Sequence, residues 1–311
     1  MEHLITSVKK SRKHSHDQLF GMAITAPSVI LLALLFLYPI AYSLVISFTN
    51  YNYVRGTMNF VGFTNYLRAF EDADFLNALR VTFIISIASV VVQFIVGVLL
   101  SAFIVNMRRG QGFLKSAYLI PMMIAPTVAG LLWRFLLNNE FGAINHLLGA
   151  AGITTIPWLV NERLALICVV IVDSWTSIPY VFLLMYTALT TVSADMLEAG
   201  TIDGANSWQI FFRIQLPSIR AALMVALVIR FMDVFRIYDS IDIMTKGGPG
   251  TATEALSLYI YRVNWTKYQM GKASAMSYIM MVVMAVIGLL MQYYSEDKHD
   301  RAMRRERRRA K

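Results

Sequence analysis

A chain of 311 residues that is 57% hydrophobic and only 15% charged, with a net charge of +9, lacks the polar balance of a water-soluble globule. The composition reads instead as a polytopic, all-α membrane protein. A single cysteine, Cys168, excludes an intrachain disulfide and leaves the redox compartment unread. Residues 1–20 form a polar tail rich in Lys and Arg. A first apolar stretch follows at 21–48, too long for the 7 to 15 apolar residues of a secretory signal. It is therefore expected to remain as an uncleaved span despite the small-x-small sequence at Ala41-Tyr42-Ser43. An outer connection at 49–79 contains Phe60-Val-Gly-Phe-Thr-Asn-Tyr66, then Asp74 to Leu79, whose spacing predicts an interfacial helix leading into the second span at 80–105. Further spans are predicted at 114–137, 164–190, 217–242 and 273–294, each long enough for the roughly 20 residues a crossing needs. Residues 138–163 read as a second outer connection of short turns, with Trp158 as an aromatic interface anchor. After the fifth span, Gly247-Gly-Pro-Gly250 cannot continue a helix, so that span should end near Met244.

Six crossings put the basic clusters on one side: Lys9, Lys10, Arg12 and Lys13, then Arg108, Arg109 and Lys115, then the 295–311 tail from Arg304 to Lys311. The positive-inside rule makes that side cytoplasmic and places both termini there. The same rule accounts for the basic C-terminal tail without any nucleic acid partner. Residues 21–294 are read as one transmembrane domain.

The loop at about 191–216 is amphipathic where the others are not. Ser193 is a candidate N-cap with Asp195 in the first turn of a short helix reaching about Ile202, and Gly204 is free to take the positive φ that ends it. Asn206 followed by Gln209 resembles a capping box for a second helix. Small Ala199 and Gly200 beside Glu198 allow another backbone to come close, and Trp208, Phe211 and Phe212 are expected to pack against the membrane domain.

This loop resembles that of the membrane subunits of ATP-binding-cassette importers, whose pattern is Glu-Ala-Ala, three residues, Gly, nine residues, Ile, one residue, Leu-Pro. Glu198, Ala199, Gly204, Ile214, Leu216 and Pro217 fall at those places, and Gly200 departs from the second Ala. The resemblance implies an importer permease fold of six transmembrane helices with a cytoplasmic helix-turn-helix coupling loop. It further implies that Glu198, Ala199, Gly200, Asp203 and Gly204 contact an ATP-binding subunit, with Glu198 facing it. The Phe60 to Tyr66 block, and the Gly247 cluster followed by the aromatic stretch at Tyr259 and Tyr261, resemble the carbohydrate-type subgroup. Together they look like the first of the two unlike permeases in maltose and glycerol-phosphate importers. The implied partners are a second, unlike permease, two ATP-binding subunits, an extracytoplasmic solute-binding protein and a bacterial-type inner membrane. ATP and Mg would sit on the partner subunits, so no cofactor is expected in this chain.

The residues agree that the chain is not itself an ATPase. It has no Gly-x-x-x-x-Gly-Lys-Ser/Thr phosphate cradle, Gly-x-Ser-x-Gly elbow or His-Glu-x-x-His helix. His14 and His16 read as solvated tail residues more readily than as a metal pair. Polar groups inside apolar spans are more informative, because they face a bundle interior or an aqueous path. Gln93, Asp173, Trp175, Thr176, Tyr180, Arg230, Asp233, Arg236 and Asp239 are of this kind. Sugars are held by hydrogen bonds to hydroxyls and by aromatic faces against C–H surfaces. Gln93, Asp173, Trp175, Tyr180 and Asp233 are accordingly the candidate substrate path. For Asp173 the alternative is pairing with a neighbouring helix. Arg230, Asp233, Arg236, Asp239 and Asp242 recur at every third position, a ladder that winds round a continuous helix. At about 1.5 Å per residue Asp239 would stand roughly 33 Å above Pro217. Ion pairing is the favoured reading of the ladder, with Asp233 the ligand exception. The Asn264-Trp265-Thr266 sequon would carry no meaning in a bacterial-type protein. Rival readings are an importer permease for a non-sugar solute, a membrane scaffold or sensor, and a self-sufficient secondary carrier, which the lack of evident inverted repeats disfavours.

Overall fold

The computed structural model describes residue 20 and residues 22–293, except Arg108. The two terminal tails and Arg108, which carry much of the charge used for orientation, lie outside the described residues. Helices α1 (Met22–Ser47), α3 (Ala73–Val105), α7 (Glu162–Thr190) and α14 (Met270–Tyr293) are the four described helices long and apolar enough to cross a membrane by themselves. Between α1 and α3 lies the short helix α2 (Thr64–Glu71). The predicted interfacial helix at 74–79 is not separate. It is the first turns of α3, which Asp72 starts by accepting hydrogen bonds from the backbone N–H groups of Asp74 and Phe75. At 33 residues α3 rises about 50 Å, enough for a full crossing plus an extension beyond it.

The core is the α3–α7 pair. Buried positions of α3 step by three and four from Ala78 to Ile104, the period of one helical face. At Gly97 the helices touch closely: an added Cβ would stand 2.8 Å from Val181 Cγ1 and 3.2 Å from the Phe182 backbone nitrogen. Overpacking of this kind costs about 1–3 kcal/mol, against the ~1 kcal/mol of helix propensity that Ala gains over Gly. Gly97→Ala should therefore lower the melting temperature slightly and Gly97→Leu strongly. An unchanged melting temperature for Gly97→Leu would show that the two helices need not approach here.

Two predicted rods are broken. The span expected at 114–137 is α4 (Gln111–Leu119), a 3₁₀ turn (Ile120–Met123) and α5 (Pro126–Leu136), bent by 94°. Pro121 and Pro126 explain the break. Each removes a backbone donor, and the residue before Pro126 is driven to extended geometry, with Ala125 at ψ 139°. The outer connection after α5 carries a helix, α6 (Ala143–Ala150), where short turns were expected. Asn145 organises it, donating to the Ile156 carbonyl and accepting from the Trp158 indole.

The fifth predicted span, 217–242, is also interrupted. Helix α8 (Ala194–Ile202) and helix α9 (Ser207–Ile210) form the loop after α7, and a π-helical turn (Phe211–Gln215) and α10 (Leu216–Ser218) lead into α11 (Arg220–Phe235). Sixteen residues rise about 24 Å, short of the ~30 Å hydrocarbon core. Arg236 to Tyr238 are not helical, and α12 (Asp239–Met244) begins a new axis with Asp239 and Asp242 in its first turn, where the helix dipole favours acids. A height for Asp239 measured along one continuous helix therefore fails beyond Phe235. The expected stop near Met244 does occur, with Gly247 at φ +78°.

Helix α13 (Leu256–Trp265) then leads toward α14. Here Asp72 ties three helices together, accepting from Tyr259 Oη at 2.8 Å and from Lys272 Nζ at 2.6 Å while it caps α3. Burial pushes the Asp72 carboxyl up, but the bonds from Lys272, Tyr259 and the Phe75 backbone, with the Lys272 charge, outweigh it and hold the group below its ordinary value. Helix α1 lies at the edge of the bundle and meets α14 through Tyr278, whose hydroxyl donates to the Ile40 carbonyl and lies 3.1 Å from Ser43 Oγ.

Candidate functional site

The α3–α7–α11 junction brings together three polar residues that the sequence scatters over 137 positions. Gln93 Nε2 donates to Asp173 Oδ2 at 2.8 Å, Arg230 Nε donates to Gln93 Oε1 at 2.9 Å, and Arg230 Nη2 lies 3.5 Å from the same carboxylate oxygen. All three are buried, Gln93 completely. The amide thus bridges acid and base, using its donor on one and its acceptor on the other. The hydroxyls of Ser86 and Ser174 are buried beneath the same helices without a hydrogen-bond partner among the described residues. Sequence reading passed over Ser86 and Ser89, although with Thr82 and Gln93 they repeat at helical spacing and so mark a buried polar stripe on α3.

The remaining path candidates are placed differently. Asp233 is half exposed and paired twice, with Arg230 at 3.8 Å and Arg236 at 3.1 Å. Trp175 packs edge-on against Trp133 of α5, ring centroids 5.7 Å apart, and Tyr180 is partly buried against the main core. Asp173 has its carboxylate occupied by Gln93 and Arg230, so in this conformation it offers a solute little. Interhelical pairing accounts for its position.

In the loop, the end of α8 and the start of α9 follow the sequence, whereas Ser193 stands at the N-cap of α8 without a side-chain capping hydrogen bond. The α8 helix runs to Ile202, and the N–H groups of Gly204 and Ala205 bond to the carbonyls of Thr201 and Gly200, the Schellman pattern. Gly204 has φ +77° and open space around it. The capping box is complete, with Gln209 N–H donating to Asn206 Oδ1 and Asn206 N–H donating to Gln209 Oε1. Gly200 is buried, and an added Cβ would stand 2.6 Å from Ile214 Cδ1. Glycine's ~1 kcal/mol helix penalty is thus offset by contact between α8 and the π-helical turn. Glu198, Ala199 and Asp203 are exposed.

The expectation for the aromatics is corrected. Only Phe211 is buried; Trp208 is 65% and Phe212 55% exposed, and their rings stack parallel on the outside of the loop. Positions 208 and 212 share a face one helical turn apart, and Phe211 points away from it into the bundle. Ile202, at the tip of α8, is also fully outward at 86%. Among the described residues no group of His, Cys, Asp and Glu could hold a metal ion.

Residues 81–301 match the family model described as binding-protein-dependent transport system inner membrane component. The trehalose/maltose transport system permease protein MalF of Thermococcus litoralis is 33% identical, covering 76% of this chain and 81% of that protein. The sn-glycerol-3-phosphate transport system permease protein UgpA of Agrobacterium fabrum is 32% identical, covering 87% and 92%. A crystal structure of a bacterial alginate ABC transporter, in complex with an alginate pentasaccharide-bound periplasmic protein, superposes with a TM-score of 0.78 at 23% identity, covering 91% of this chain and 96% of that one. That likeness is one of fold.

Proposed function

Because the chain belongs to the family of binding-protein-dependent transport system inner membrane components, we propose that it is the permease subunit of an ATP-binding-cassette importer that moves a carbohydrate or polyol inward. The observation that carries the solute class is the similarity, over most of the chain, to permeases named for trehalose/maltose and glycerol 3-phosphate. Its partners on this reading are a second, unlike permease, an extracytoplasmic binding protein that delivers the solute, and two ATP-binding subunits that supply the energy. The chain lies in the inner membrane with both termini and the α8–α9 loop in the cytoplasm.

The α8–α9 loop is the docking element. Support comes from its form: a helix closed by a left-handed glycine, an exposed carboxylate at Glu198, and an outward Ile202, Trp208 and Phe212 that the described residues leave uncovered. Hydrolysis on the partners would move this loop, and α7 and α11, which flank it, would carry the motion to the bundle. The reorientation requires ATP to bind the two states with unequal affinity.

Reconstitution of the purified assembly in liposomes, with ATP enclosed and the loaded binding protein outside, tests the proposal. ATP-dependent accumulation of a carbohydrate or polyol is expected. ATP turnover without accumulation would make the chain a scaffold, and accumulation of an amino acid or ion instead would overturn the solute class.

A further inference from the structure

We propose that Tyr238, Tyr261, Trp265, Tyr53 and Tyr268 form a carbohydrate-binding arc on the outer face, a site that rests on the function proposed above and places the first contact of the solute with this chain. Successive ring centroids lie 5.2 Å (Tyr238 to Tyr261), 6.5 Å (to Trp265), 6.4 Å (to Tyr53) and 5.1 Å (to Tyr268) apart. The rings come from four separate segments: the loop after α1, the break between α11 and α12, helix α13, and the turn before α14. Folding, not sequence adjacency, has aligned them.

Exposure and surroundings identify the occupant. Tyr261, Trp265, Tyr268 and Tyr53 are each between 38% and 55% exposed, so their faces are not used up in a core. A surface within the hydrocarbon core would be flanked by apolar residues, as on α1, where Met22–Ser47 holds no charged residue at all. This arc is instead bordered by charge. Arg262 and Lys267 alternate along the chain with Tyr261, Trp265 and Tyr268, and at the inner end Asp239 and Asp242 lie near the Tyr238 phenol. Aromatic faces bordered by carboxylates, ammonium groups and phenols suit a ligand with apolar C–H faces and a rim of hydroxyls, which is the chemistry of a sugar ring. The arc ends at Tyr238, two residues beyond Arg236 and its ion pair with Asp233. A solute moving along it would arrive where α11 breaks.

The test uses the complete assembly with its binding protein, and as probe the solute that mass spectrometry finds bound to that protein. Trp265→Leu and Tyr261→Leu, alone and together, should raise the half-saturation for uptake roughly two- to tenfold per ring, the scale of one lost stacking contact, with little change in maximal rate. Trp265→Phe should restore most of the affinity, which a purely structural role would not require. A nitroxide on Trp265→Cys, the native Cys168 being buried, should collide with a water-soluble nickel chelate and be shielded by the solute. Preferential collision with oxygen would mark a lipid-facing band and overturn the arc, as would an unchanged half-saturation in the double Leu variant. A bound solute that is neither carbohydrate nor polyol would overturn the proposed function as well. A carbohydrate solute with an unresponsive arc overturns the arc alone.

Discussion

Arg230→Met is expected to destabilise the bundle by about 3–5 kcal/mol, and the paired replacement Asp173→Leu with Arg230→Met to recover part of that loss. The reason lies in what each change leaves behind. Arg230 and Asp173 are 8% and 9% exposed and share the Gln93 amide. Removing only the guanidinium strands a carboxylate between α3 and α7, where water cannot reach to solvate it. Removing both charges lifts their own desolvation cost, as for buried ion pairs replaced by apolar groups, but it strands the fully buried Gln93 amide, which costs about 1–3 kcal/mol. Melting of the solubilised assembly, followed by the loss of its monodisperse fraction, would give the four corners of a double-mutant cycle. Additive effects of the two changes would show that the pair is not coupled. The pair joins α7 to α11, the two helices that flank the loop. On the transport reading, the double variant should also import more slowly, because it lacks the polar contact between α7 and α11.

Much of this organisation was readable from residue types, and the exceptions have local causes. Helices α1, α3, α7 and α14 are long apolar runs, and their length alone declares them. Capping chemistry fixed the loop to the residue: Gly204 takes the positive φ, and Asn206 and Gln209 close the box. What hydropathy could not reveal was breakage. The 114–137 stretch stays apolar across Pro121 and Pro126, so a window average sees one rod where backbone geometry imposes a 94° bend. The break after Phe235 is harder to foresee, since neither proline nor glycine marks it. The change from apolar residues to the charged Arg236 and Asp239 was visible, but a period of three suggested a winding ladder and not a new helix. In the candidate path, residue type indicated polar function for Gln93 and Asp173, but only the fold shows that they satisfy each other. The outward Trp208 and Phe212 were misplaced because an apolar face on a loop has two possible destinations, its own bundle or another surface. Sequence does not say which.

Glu198→Lys should abolish ATP-driven uptake, at least tenfold below the native assembly, while expression and membrane insertion stay normal. Glu198 is exposed on α8 and forms no ion pair among the described residues, so its reversal costs this chain little. The loss would fall on whatever basic surface the carboxylate meets, where an attraction becomes a repulsion between like charges. Gly204→Val should reach the same phenotype by another route. At φ +77° a residue with a Cβ is strained by about 1–2 kcal/mol, and a β-branched one most of all. The strain would undo the Schellman closure that holds α8 at its angle to α9, although nothing stands within 4 Å of the added Cβ itself. Gly204→Asn is the discriminating control, because Asn tolerates left-handed backbone and should keep most uptake. Stimulation of partner ATP hydrolysis by the loaded binding protein, measured beside uptake, separates the two steps. Glu198→Lys should lose both together. If hydrolysis remains fully stimulated while uptake fails, Glu198 does not carry the stroke, and the transmission has to be sought elsewhere, first at the exposed Trp208–Phe212 stack.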